Sequence, residues 1–281
     1  MSILDRARDL TGYDEIARLR QAQDTDWVLA LAADQAPRSV LDLGCGTGTL
    51  LARALERWPD VERVVGIDGH AARVDEAGAR LSGDPRVEIR RGDLLSLPAL
   101  GEQHDVVALT SVLHWLYPDE ALLYDWVARH LAPGGSFLLT THHPHPEEDA
   151  GGRGAEDVVV AEALAALGAE EPAGAVPISE RTRTPEAIAA ALDAFFEVDA
   201  IEERYASQQT ASAEQHAAFH ASTFGTYFSR LVPAADEARF FDEVGRAAWR
   251  RQQERGEIYP ITVRLWRARP RARPRGSAAP R

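Results

Sequence analysis

The sequence predicts an α/β fold in which a mostly parallel sheet carries helices on both faces. Three observations lead there. Ser39–Leu43 is a short apolar run, followed by glycines at 44, 46 and 48 and then by Leu50, Leu51, Ala54, Leu55 and Trp58 at helical spacing. A second apolar run, Val64–Ile67, ends on an acid, Asp68, before another helical stretch. Strand-like and helix-like stretches then alternate down the chain, the order that builds parallel strands joined by crossover helices.

The strand–glycine turn–helix at the start makes a cradle. Glycines let the backbone approach a ligand closely, and a helix N-terminus favours electron-rich atoms. The spacing narrows the ligand. A dinucleotide fingerprint wants G-x-G-x-x-G, but Thr49 stands where its third glycine belongs and Gly48 comes one residue early. No Gly-Lys-Ser/Thr follows, and the chain contains no lysine, so a P-loop is excluded. The pattern that stands is Asp42-x-Gly44-x-Gly46-x-Gly48. An acid before the glycines would repel a pyrophosphate and suit a ligand carrying an ammonium group.

The string VLDLGCGTG resembles motif I of the class I S-adenosylmethionine-dependent methyltransferases. The resemblance implies a Rossmann-like class I methyltransferase fold, with a seven-stranded mostly parallel sheet, helices on both faces and an inserted lid. It also implies S-adenosylmethionine as cofactor, with the turn of Asp42, Gly44, Cys45, Gly46 and Gly48 facing the methionine part. Cys45, the only cysteine, reads as a small space-filler in that turn.

Asp68 closes the second strand, where a nucleotide-binding α/β unit places a carboxylate that accepts two ribose hydroxyls. It matches the family's second motif, with Gly69 beside it; His70 lines the adenine edge or simply begins a helix. Val87–Arg90 alternates as a third strand, and the following Arg-Gly-Asp-Leu string resembles the family's adenine-recognition segment. Asp93 is therefore expected at the adenine amino group with Leu94 beside it, an ordinary turn being the other reading.

Asp105–Leu109 reads as the fourth strand, and Thr110 to Asp119 leaves its carboxyl end, where ligands sit in open parallel sheets. Thr110 is assigned to the cofactor. LHWLYPD resembles the LQW-x-PD segment of the trans-aconitate methyltransferase branch, a small-molecule group, with His114 in place of the glutamine. A histidine there, facing the transferable methyl as in related folds, can take a proton from the acceptor. The alternative is a histidine that packs in a buried turn.

Ser136–Thr140 is expected as the fifth strand after Pro133-Gly134-Gly135. Thr141 to Asp149 then holds three histidines and three acids. Its prolines keep neighbouring side chains apart, so no metal is assigned; His142 or His143 reads as substrate-lining, with His142 a second candidate base. In the family, an aromatic ahead of the first strand often closes over the methionine end. Tyr13 is the candidate here, a third catalytic residue, with Arg18 and Arg20 as carboxylate partners. A helix that only packs on the sheet fits that segment equally well.

At 281 residues the chain suits one α/β domain with insertions. The expected organisation is a domain over 1–266, with a helical cap at 1–36 and lid insertions at 142–184 and 207–255. A disordered Arg/Pro tail is expected at 267–281. Thr184-Pro185 should start a helix, threonine as cap and proline in its first turn. A sixth strand is expected from Phe195 to Tyr205 and a last, antiparallel one at Ile258–Trp266.

Net charge is −13, and the final fifteen residues carry six arginines and no acid, so the body is more acidic still. Phosphate backbones would be repelled, which argues against a nucleic-acid substrate. No apolar run is long enough to span a membrane, and the charged first residues lack a signal-peptide core, so a cytoplasmic protein is expected. Oligomeric state is left open, a homodimer among the options.

The reaction so implied is methyl transfer to a small organic acceptor. Trp115, Tyr117, Phe224 and Tyr227 would suit an indole- or phenol-like ring, or they are core. The alternative is a non-methylating cyclase or binding module on the same fold.

Overall fold

The computed structural model describes residues 25–32, 34–145 and 153–271. Tyr13, Arg18 and Arg20 lie outside the described residues, as do part of the His/acid run and the end of the Arg-rich tail. The chain divides into two compact units. One, the sheet unit, comprises Thr25–Thr141, Thr184–Glu202 and the chain from Arg264; the other, mainly helical, takes His142–Arg183 and Glu203–Val263. The second unit draws on residues from both stretches expected as lid insertions.

The sheet has seven strands: β1 Ser39–Leu43, β2 Arg63–Asp68, β3 Val87–Arg91, β4 His104–Leu109, β5 Leu131–Pro144, β6 Phe196–Gln208 and β7 Ile258–Pro270. Their order is β3-β2-β1-β4-β5-β7-β6, and the pairs β3–β2, β2–β1, β1–β4 and β4–β5 are parallel. β5, β6 and β7 contribute residues to both units. Residues 25–30 are helical. The crossovers within the parallel part are α1 Thr49–Arg57, α2 Ala71–Arg80 and α3 Glu120–His130. Near-continuous apolar strands are what a sheet covered on both faces requires. Leu41, Leu43, Val65, Val107, Leu109, Phe137 and Leu139 are accordingly fully buried.

Two expected boundaries move. β5 begins at Leu131, ahead of Pro133-Gly134-Gly135, because the glycine pair makes an irregularity inside the strand and not a loop before it. His104 pairs with Leu131, the register shifts, and Val106 pairs with Ser136. Gly134 takes the left-handed φ of 80° that such a bulge needs.

The second change concerns the tail, whose first residues are strand. Arg267–Pro270 completes β7, since Arg alternating with Ala or Pro has the two-residue period of a strand. Ala268 is buried, while Arg267 and Arg269 donate to the two carboxylate oxygens of Asp199 at 2.8 and 2.5 Å.

In the sheet unit, α4 Pro185–Asp193 starts as its sequence demands. Thr184 accepts the Ala187 N–H at 3.2 Å, with proline in the first turn. The helical unit contains α5 Ala155–Ala166, α6 Ile178–Arg181, α7 Ala213–Phe228 and α8 Glu237–Arg255. Its core joins Val159, Val160, Phe219, Phe224, Phe228, Phe240, Phe241 and Tyr259. Phe224 is therefore core, and the half-buried Tyr227 carries the Arg181 guanidinium, 4.1 Å from its ring centroid.

Candidate active site

Five parallel strands end at one edge of the sheet, and the sequence loads those ends with polar residues. β1 delivers Asp42 and the glycine turn, β2 Asp68, β3 the Gly92-Asp93 turn, β4 Thr110 and Ser111, and β5 Thr140.

Gly44, Gly46 and Gly48 all take left-handed φ, at 75°, 52° and 79°. The turn folds back against β2: Gly44 and Cys45 N–H groups donate to the Ile67 carbonyl at 2.7 and 3.0 Å, and the Gly46 N–H to Asp68 Oδ2 at 2.9 Å. A side chain at Gly44 is impossible for a second reason. Its Cβ would lie 2.3 Å from Cγ2 of Val112, in the turn after β4. The cofactor turn is thus wedged against the segment that carries His114.

Asp42 lies beneath the turn, 1% exposed, and its Oδ1 has no hydrogen-bond partner among the described residues. Burial, reinforced by the charge of Asp68, raises its carboxyl to about 7. A buried, unpaired carboxylate oxygen is costly. An arriving ammonium group would remove that cost, which fits this residue to the role assigned from sequence. Cys45 is buried nearby, and burial, then the charges of Asp42 and Asp68, push its thiol well above the usual range. A thiol held in its neutral form suits a space-filler better than a nucleophile.

Asp68 is nearly buried, and its Oδ1 accepts the His70 N–H at 2.8 Å. Each carboxylate oxygen thereby holds one backbone donor and keeps a lone pair for a hydroxyl. The Asp68 carbonyl accepts the Gly92 N–H at 3.0 Å, which draws the β2 and β3 turns together beside Gly69. Asp93 is exposed. Its carboxylate accepts the Leu95 N–H at 3.1 Å and the Ser96 hydroxyl at 3.2 Å, capping its own turn, with Leu94 buried behind it.

Thr110 is half-buried at the end of β4. Ser111, left-handed at φ 58°, turns the chain into a short 3-10 helix over Leu113–Trp115. His114 and Trp115 are both half-buried, their ring centroids 5.2 Å apart. Leu113, not His114, supplies the buried anchor of that helix. His142 follows Thr141 on β5, half-buried and in the helical unit. His143 Nδ1 lies 3.2 Å from the Arg183 carbonyl in that unit. No group of three or more His, Cys, Asp or Glu among the described residues is arranged to hold a metal.

The sequence reading missed Val112 and Thr140. Nothing in the residue types announces either; only the left-handed Ser111 and the crowding beside Gly44 point to them.

The family profile described as methyltransferase domain matches residues 40–135, the span from β1 to the glycine pair in β5. Over residues 40–135 the chain is similar to this methyltransferase family. Among relatives, a trans-aconitate 2-methyltransferase of Azoarcus sp. is 38% identical over 122 residues, 43% of this chain and 45% of that protein. One from Deinococcus radiodurans is 32% identical over 135 residues, 47% and 49% of the two chains. The chain thus matches about half the length of these relatives. Among solved structures, a putative methyltransferase from Bacillus halodurans superposes at a TM-score of 0.56. It is 20% identical, covering 88% of this chain and 98% of that one. The N-methyltransferase NodS of Bradyrhizobium japonicum, in complex with S-adenosyl-L-homocysteine, gives 0.53 at 14% identity, over 97% and 100% of the chains. At such identities the likeness shows the methyltransferase fold. The domain match adds the cofactor class.

Proposed function

We propose that this chain transfers a methyl group from S-adenosylmethionine to a small organic acceptor. The observation that carries the reading is the buried carboxyl of Asp42, whose Oδ1 has no hydrogen-bond partner among the described residues, under a left-handed glycine turn, one strand from Asp68, inside the matched stretch. Asp42 would meet the ammonium group of the cofactor, Asp68 its ribose hydroxyls, and the Asp93–Leu94 turn its adenine.

The cofactor supplies an electrophilic methyl on a sulfonium, already a good leaving group. The chain's contribution is then alignment and exclusion of water. His114 would take the proton of an acceptor that has one to lose, holding it on the ring. Trp115 and Tyr117, half-buried on the same turn, favour a flat acceptor with a phenolic O–H or ring N–H. A carboxylate acceptor, the type named for the relatives, is already ionised at neutral pH and would need no base. The acidic net charge supports a small molecule over a nucleic acid.

The test is calorimetric titration with S-adenosylhomocysteine and with NAD, followed by transfer of a labelled methyl to a panel of phenols, indoles and polycarboxylates that includes trans-aconitate. Binding of S-adenosylhomocysteine alone, with label in a phenol or indole, is the expected result. Label only in the carboxylates would overturn the aromatic acceptor and leave methyl transfer standing. Failure to bind S-adenosylhomocysteine would remove the whole reading.

A further inference from the structure

The site contains a chain of contacts that touches no cofactor atom by sequence motif and yet ends on the cofactor turn. Leu109, the last residue of β4, pairs with Leu139 within β5, which sets Thr140 beside the first residues after β4. Thr140 is 3% exposed, and its Oγ1 accepts the Ser111 N–H at 2.8 Å. Ser111 has a φ of 58°, a region that a residue with a Cβ enters only at a cost. A backbone N–H bonded to a buried hydroxyl is what offsets that cost here.

The next residue, Val112, accepts the Trp115 N–H on its carbonyl at 2.8 Å, which starts the short helix of His114 and Trp115. Its side chain goes the other way and fills the space beside Gly44, so close that a Cβ there would meet Cγ2 at 2.3 Å. Gly44 in turn is held by the Ile67 carbonyl at 2.7 Å. One run of contacts therefore joins β5 to the glycine turn through the acceptor-side turn.

We infer that Thr140 is a positioning residue that sets cofactor affinity through Ser111, Val112 and Gly44. The inference rests on the cofactor reading above. It predicts a specific kind of rescue. If Thr140 acts by holding a left-handed Ser111, then a glycine at 111, which enters that region freely, makes the threonine hydroxyl dispensable. If Thr140 merely fills space in the sheet, a glycine at 111 restores nothing.

The experiment is calorimetric titration of the full chain with S-adenosylhomocysteine. Thr140→Val, which keeps shape and removes the acceptor, should weaken binding about fivefold to tenfold, the scale of one buried hydrogen bond. Thr140→Ser keeps the hydroxyl and should stay within about twofold of the parent, as should Thr140→Val combined with Ser111→Gly. Val112→Ala leaves the Thr140 bond intact and removes the wedge against Gly44, so it too should weaken binding; it carries the test if Thr140→Val fails to fold. Parent-like affinity in Thr140→Val or in Val112→Ala overturns the inference, as does a Thr140→Val loss that Ser111→Gly leaves uncorrected. A parent chain that binds no S-adenosylhomocysteine overturns the cofactor reading itself, and this inference with it.

Discussion

Asp68 closes the loop between two strand ends by accepting the Gly46 N–H on one carboxylate oxygen at 2.9 Å and the His70 N–H on the other at 2.8 Å. The same carboxylate is thus a brace for the glycine turn and the proposed ribose ligand. Asp68→Asn places an NH2 against one of those backbone donors, since an amide has a single accepting oxygen. The expected loss of S-adenosylhomocysteine affinity is on the order of 100-fold. That figure combines a broken brace with a lost ribose contact, each costing about 1–3 kcal/mol. Calorimetric titration measures the affinity and a thermal melt measures the brace alone. A variant with lowered melting temperature and undiminished affinity would strip Asp68 of its ligand role.

Two glycines of the turn separate folding from binding. Gly44→Ala combines a left-handed φ with a Cβ 2.3 Å from Val112, so it should lower stability by several kcal/mol and scatter the turn. Gly46 shares the left-handed φ, but no described residue lies within 4 Å of a Cβ there. Gly46→Ala should therefore cost only about 1–2 kcal/mol of stability. If the open space at Gly46 belongs to the ligand, the same variant loses S-adenosylhomocysteine binding while it stays folded. A Gly46→Ala protein that binds as the parent does would put the ligand elsewhere.

How much of this was legible in the sequence follows from what each signal encodes. The succession of strands along the chain and the acids at their ends come from local patterns, an apolar run closed by Gly or Asp, and Asp42, Asp68 and Asp93 stand at the ends of β1, β2 and β3. The start of β5 was misread because Pro-Gly-Gly signals a loop unless a partner strand absorbs the bulge, and that partner, His104, is distant in sequence. Arg267–Pro270 was misread for the same kind of reason. Arginine and proline describe a solvated tail until Asp199 on β6 turns them into a paired strand. Val112 and Thr140 carry no local signal at all, because their roles exist only where the end of β4 meets β5.

His114 distinguishes the kinds of acceptor. Replacing it with glutamine, the residue at that place in the resembling segment, keeps a polar side chain and removes the ring nitrogen that could take a proton. For an acceptor with a proton to lose, kcat should fall about 100-fold or more, the usual worth of a general base, with KM little changed. For a carboxylate acceptor kcat should hold. Steady-state kinetics of His114→Gln on whichever acceptor takes the label decides between them; an unchanged kcat on a phenol would show that His114 merely packs.

Two buried groups pull the pH dependence of stability in opposite directions. Asp42 moves from an ordinary 3.8 up to about 7, by burial and then by the charge of Asp68 on β2; the Cys45 thiol lies in the turn above it. Between those values the folded chain holds a proton that the unfolded chain has released. Stability from this group is therefore full below 3.8 and falls as pH rises toward 7.

His104, at the opposite end of the sheet, is fully buried, and neither ring nitrogen has a hydrogen-bond partner among the described residues. Burial lowers it from 6.5 to about 4, against the pull of Glu102. Here the unfolded chain takes the extra proton, so stability is full above 6.5 and falls as pH drops toward 4. Each group is worth about 1.4 kcal/mol per pH unit inside its window, and the windows overlap between about 4 and 6.5, where the slopes cancel.

Removing either group unmasks the other. Asp42→Asn should give a melting temperature that rises with pH across that overlap, relative to the parent, and His104→Leu one that falls. The ligand adds a further sign. An ammonium group favours ionised Asp42, so S-adenosylhomocysteine affinity of the parent should strengthen as pH rises toward 7, by up to tenfold per unit, and Asp42→Asn should abolish that trend. Melts and titrations across pH 5–8 measure both; matching slopes in the parent and in both variants would mean that neither group titrates where its burial places it.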